Sequence, residues 1–80
     1  MIEPMTLYFE NTFGFRRVIA EPLDEREAYA AINAFLKEHN YKSYYTRSWI
    51  NESNLNEKIY DVGSHSEFFI CYNSNGWSEI

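Results

Sequence analysis

The chain contains a single cysteine, Cys71. One thiol cannot form an intramolecular disulfide, so this is not one of the stapled scaffolds common among small secreted domains. The three glycines, Gly14, Gly63 and Gly76, stand far apart, and no Gly-rich loop exists to cradle a phosphate. Cations are scarce: 7 Lys and Arg face 12 Asp and Glu, a net charge of −5 at pH 7. Nucleic-acid binding depends on cations that neutralise phosphates, so no direct nucleic-acid contact is expected. The charge fits a partner with a basic surface, and it equally fits a need for solubility. No stretch approaches the roughly 20 apolar residues of a membrane-crossing helix, and no basic region followed by an apolar run opens the sequence. No membrane association is expected, and the cytoplasm is the expected compartment.

Aromatic residues, by contrast, are plentiful: 6 Phe, 7 Tyr and 2 Trp in 80 residues. A chain this short makes one domain, 1–80, and buries only about 60% of its unfolded surface. Large rings supply apolar area for few residues. They exceed what one small core needs, so some are expected at the surface, where aromatics tend to anchor contacts.

The hydrophobic periodicity predicts an α+β fold of order β-β-α-β-β-β. Residues 6–10 (TLYFE) read as a strand, Asn11 to Gly14 as a turn, and 15–20 (FRRVIA) as the returning strand. Phe15, Arg17 and Ile19 would share one face, and Arg16, Val18 and Ala20 the other. Pro22 ends this strand. Asp24 and Glu27 then form a capping box, with Leu23 as a hydrophobic staple onto Ala28. Ala28, Ala31, Ile32, Phe35 and Leu36 make one apolar stripe of a helix running to about His39. Asn40 suits a left-handed C-terminal residue, and Tyr41 can fold back on the last turn. Residues 43–50, 58–62 and 67–72 read as three further strands, and 73–80 as a loosely held tail that Trp77 could pin. Short turns make the sheet antiparallel. One helix covers one face, leaving the other exposed or covered by a partner.

Candidate chemistry is thin. Cys71 lies among Phe68, Phe69, Ile70 and Tyr72, where a thiol behaves as a small buried hydrophobe more readily than as a nucleophile. His39, His65, Asp61 and Glu67 lack the paired spacing of metal ligands, and no cofactor is implied. Two acidic features remain. Glu21, Asp24, Glu25 and Glu27 gather at the helix entrance; capping accounts for Asp24 and Glu27 and leaves Glu21 and Glu25 without a structural task. Tyr44, Tyr45 and Trp49, residue types enriched at interface hot spots, are followed by Glu52, Glu57 and Asp61. These aromatics and acids, with Glu21 and Glu25, are the expected partner-binding residues. An edge strand also offers a route to a homodimer.

The segment YDVGSHSEFF, from Tyr60 to Phe69, resembles a stretch found in small uncharacterised proteins of phages and prophages of Gram-positive bacteria, and GFRRV, from Gly14 to Val18, adds to the likeness. That resemblance implies a setting and no catalytic residue. A small acidic phage protein in a host bacterial cell is expected to bind and block a host protein, as an anti-CRISPR or other anti-defence inhibitor does. The alternative is a small-ligand binder, such as a sponge for a nucleotide signal, with bases stacked on Tyr or Trp and phosphates held by Arg16, Arg17 or Arg47.

Overall fold

The computed structural model describes residues 3–42, 46–63 and 67–77. Among them, one antiparallel sheet is built from β1 (Thr6–Glu10), β2 (Arg16–Ala20), β3 (Arg47–Ile50), β4 (Glu57–Asp61) and β5 (Phe68–Tyr72), and one helix, α1 (Glu25–Glu38), follows β2. The α+β order and the helix match the expectation, with strand ends displaced by a residue or so. Residues 43–45 of the expected third strand, and with them Tyr44 and Tyr45, lie outside the described residues, as does His65.

The sheet order is β2-β1-β5-β4-β3. The β5 strand therefore sits at the centre, paired with β1 on one side and β4 on the other. The hairpins β1–β2 and β3–β4 form the two flanks.

Local chemistry explains the helix ends. Asp24 Oδ1 accepts from the Glu27 amide at 2.8 Å, and Glu27 Oε1 reaches back to accept from the amide of Leu23, just ahead of the cap, at 3.0 Å, a reciprocal pair close to a capping box. The staple differs from expectation. Leu23 remains 51% exposed, and Pro22 is the buried residue ahead of the helix, with its carbonyl accepting from the Met5 amide at 2.8 Å. At the other end Asn40 adopts φ +58°. The Tyr41 amide donates to the Leu36 carbonyl and that of Asn40 to Lys37, the paired bonds of a Schellman motif. Tyr41 then stacks at 6.3 Å from Phe35.

The stripe Ala28, Ile32, Phe35 and Leu36 is buried against Leu7, Phe9, Tyr60, Phe69 and Cys71. Phe9, Phe35 and Phe69 form a ring triad with centroids 4.7–5.5 Å apart. The β1–β2 register shifts between Leu7 and Tyr8. This bulge breaks the simple alternation expected for β2, and Ile19 and Ala20 both pack on the core.

The face away from the helix is not simply open. Register places Val18, Tyr8, Ile70, Ile59 and Trp49 in one apolar row across all five strands. Ile70, at its centre, is 1% exposed. The cover comes from the chain itself. Trp49 meets Phe68 edge-on at 6.4 Å. Arg16 leaves edge strand β2 and reaches over the sheet, its Nε donating to Glu10 at 3.0 Å and its Nη1 to Glu57 on β4 at 2.8 Å. Sheet twist brings this diagonal together over the face. Arg16, Glu10, Trp49, Phe68, Ile59 and Ile70 enclose a hollow of about 140 Å³ there.

Candidate functional site

The expected site residues separate into distinct roles. Glu57 and Asp61 are 8% and 7% exposed, so they are not an acidic rim on a loop. Glu57 takes Arg16 on one oxygen and the Asn51 side-chain amide, at 3.1 Å, on the other. Asp61 accepts from Arg47 Nη2 at 2.8 Å and from the Gly63 amide at 2.9 Å. A buried carboxylate must be paired to be tolerated, and both acids take their partners from the chain. Arg16 is held protonated above its already high value by the hydrogen bond to Glu57 and then by that to Glu10. Arg16 and Arg47, two of the three cations expected to hold phosphates in a nucleotide sponge, are thus each paired with a carboxylate of the chain.

At the helix entrance Glu25 has a structural task after all. Its Oε2 accepts from Lys58 Nζ at 2.6 Å and from Tyr60 Oη at 2.7 Å. Burial pushes this carboxyl up, but the hydrogen bonds from Lys58 and Tyr60 outweigh that and hold it below its ordinary range. Tyr60, fully buried, is driven well above the usual phenol value by burial and by the neighbouring Glu25. Cys71 is buried as expected, and burial pushes its thiol up to about 12, which removes the thiolate a nucleophile needs. Of the entrance acids Glu21 remains, exposed. No group of three metal-ligating side chains is gathered among the described residues.

Trp49 and Glu52 do come together. They line an open groove of about 790 Å³ with Ile50, Asn51, Leu55 and Trp77. Asparagines build its walls. Asn51 Oδ1 accepts from the Ser53 amide and Asn54 Oδ1 from the Asn56 amide, shaping the β3–β4 turn. The Asn56 side chain donates to the carbonyls of Asn73 and Ser74, and the Asn73 amide donates back to the Asn56 carbonyl at 2.7 Å. The Trp77 amide donates to the Leu55 carbonyl at 3.0 Å. Residues 73–77 are thus strapped to the turn, with Trp77 as the pin, and 78–80 lie outside the described residues.

Both indoles are fixed. The Trp77 Nε1–H donates to the Cys71 carbonyl at 3.0 Å, and Lys58 lies 5.1 Å from the Trp77 ring. Trp49 is held by Phe68 and by the Arg47 guanidinium at 5.7 Å. Leu55, lining the same groove, is 62% exposed, and Glu52 is exposed as well. Leu55 and Trp77 were not expected as site residues. The signal for them was the two Asn-rich turns, 51–56 and 73–76, each followed or interrupted by one large apolar residue.

A second apolar feature also went unexpected. The β1–β2 turn raises Phe13 and Phe15 into solvent, 84% and 73% exposed. Asn11 Oδ1 accepts from both of their amides, at 2.9 and 3.0 Å. No family model, curated protein or solved structure matches the chain.

Proposed function

We propose that this protein is a non-enzymatic binding module that takes a basic segment of a partner protein into the Trp49–Leu55–Trp77 groove and, by occupying it, blocks the partner. The observation that supports this reading is the groove itself. Two tryptophans are held by the chain's own hydrogen bond and cation contacts, and an exposed leucine and a carboxylate line the groove with them. Rigid aromatic anchors lose little freedom on binding, and such residues dominate interface energies. Glu52 and the net charge of −5 favour a basic partner and would speed the encounter. The likeness to phage proteins supplies the setting: a host protein with a basic surface, such as a nuclease of an anti-phage defence system.

The test is capture from a Gram-positive host lysate at graded salt, followed by binding kinetics on the captured protein. Trp49→Ala and Leu55→Ala should mainly raise the dissociation rate, and Glu52→Lys should slow association and weaken its salt dependence. Folded Trp49→Ala and Leu55→Ala variants that bind with wild-type rates would remove the groove from this role, and tight binding that depends on Glu21 instead would place the interface at the helix entrance.

A further inference from the structure

The sheet carries an apolar knob and an apolar groove at diagonally opposite corners. Register places Arg16, Glu10 and Phe68 at one end of the sheet and Thr6, Tyr72 and Glu57 at the other. The β1–β2 turn projects from the first end at the β2 edge, and the β3–β4 turn from the second end at the β3 edge. Phe13 and Phe15, the two most exposed of the large apolar residues on the first turn, touch nothing in the groove of their own chain, as their 84% and 73% exposure records.

We propose that copies of this chain associate head to tail, the Phe13–Phe15 turn of one seating between Trp49, Leu55 and Trp77 of the next. Charge agrees with this orientation. Arg17, exposed beside the knob, lies 5.4 Å from the Phe35 ring and pairs with no carboxylate among the described residues, whereas Glu52 lines the groove. Knob to knob would bring Arg17 against Arg17, and groove to groove Glu52 against Glu52. Rigidity agrees as well. Asn11 locks the turn through the Phe13 and Phe15 amides, and Gly14, at φ +84°, donates its amide to the Asn11 carbonyl at 3.0 Å. A contact between two different patches is heterologous, so it leaves a free knob at one end and a free groove at the other and can extend beyond a dimer. The proposal rests on the groove being a site that accepts apolar side chains, and it makes self-association and partner binding mutually exclusive.

The test is sedimentation equilibrium of the full chain over a hundredfold range of concentration, with two disabled variants. Phe13→Ser/Phe15→Ser removes the knob and Leu55→Arg blocks the groove; all three side chains are mostly exposed, and circular dichroism checks that each variant is folded. The wild type should show a weight-average mass that climbs with concentration past that of a dimer. Each variant alone should be monomeric. Mixed, they should give a 1:1 pair and nothing larger, because each supplies the half the other lacks. Arg17→Glu should weaken the wild-type association and Glu52→Lys in the neighbouring copy should restore it. A wild type that stays monomeric throughout overturns the proposal and leaves the partner-binding reading standing. So does a dimer that never grows, or association that survives in either variant alone.

Discussion

Removing the Arg16 strap perturbs the fold at one long-range contact, between β2 and Glu57 on β4. Arg16→Met keeps most of the aliphatic cover over Ile70 but leaves Glu57 with Asn51 as its remaining hydrogen-bond donor on the side chain. The magnitude follows from how buried the pair is. Exposed ion pairs contribute about 0.2–1 kcal/mol, and stripping a partner from a fully buried charge costs about 3–5 kcal/mol. The Arg16 side chain is 38% exposed and that of Glu57 10%, which places the pair between these limits, at about 2 kcal/mol. For a domain of this size that corresponds to a fall in Tm of roughly 8–16 °C. Most of the loss is the isolated carboxylate, so adding Glu57→Gln should return a good part of it. Thermal unfolding followed by circular dichroism on the wild type, the two single variants and the double variant completes the cycle. An Arg16→Met midpoint within about 2 °C of wild type, or a double variant no more stable than Arg16→Met, would refute the reasoning.

Phe35, at the centre of the ring triad, should cost about 3–5 kcal/mol when cut to Ala, enough to leave a domain this small largely unfolded by circular dichroism. Cys71 should resist a disulfide reagent in the native state at about pH 8 and react fully in urea; fast native labelling would contradict its burial. Glu25 is held below its ordinary value near 4.5, so the stability it contributes is fully present above that pH and is lost as pH falls through its lowered native value. Glu25→Gln should therefore flatten the acid limb of urea midpoints measured between about pH 3 and 7, and an unchanged limb would show that Lys58 and Tyr60 do not favour its charged form.

The helix could be read from the sequence almost residue by residue, because its determinants are local. Asp24 and Glu27 act over three residues, the apolar stripe repeats within two turns, and Asn40 needs only its own backbone. The strands followed from alternation for the same reason. What escaped was set by partners distant in the chain. Glu57 meets Arg16 across 41 residues, and Glu25 meets Lys58 and Tyr60 across 33 and 35. Seen alone, each of these acids resembles a free surface charge. The groove fell between the two cases. Trp49 and Glu52 could be singled out by residue type, whereas Leu55 and Trp77 join them only because Asn56 and Asn73 tie two turns together. The exposed knob was hidden by composition, since Asn11 to Gly14 reads as an ordinary turn whatever its aromatic does.

The position of β5 governs the order in which the molecule can assemble. The strand is synthesised after the other four, yet it lies between the two hairpins and joins them. Until it docks, β1–β2 and β3–β4 share no backbone ladder, and α1 lacks Phe69 and Cys71 on the surface it will cover. Its pairing with β1 joins residues about 60 apart in the chain, from Glu10 with Phe68 to Thr6 with Tyr72, an entropic cost met late and all at once. Folding should thus be a single slow, cooperative step dominated by long-range pairing, and a growing chain should remain without a finished core until β5 has left the ribosome.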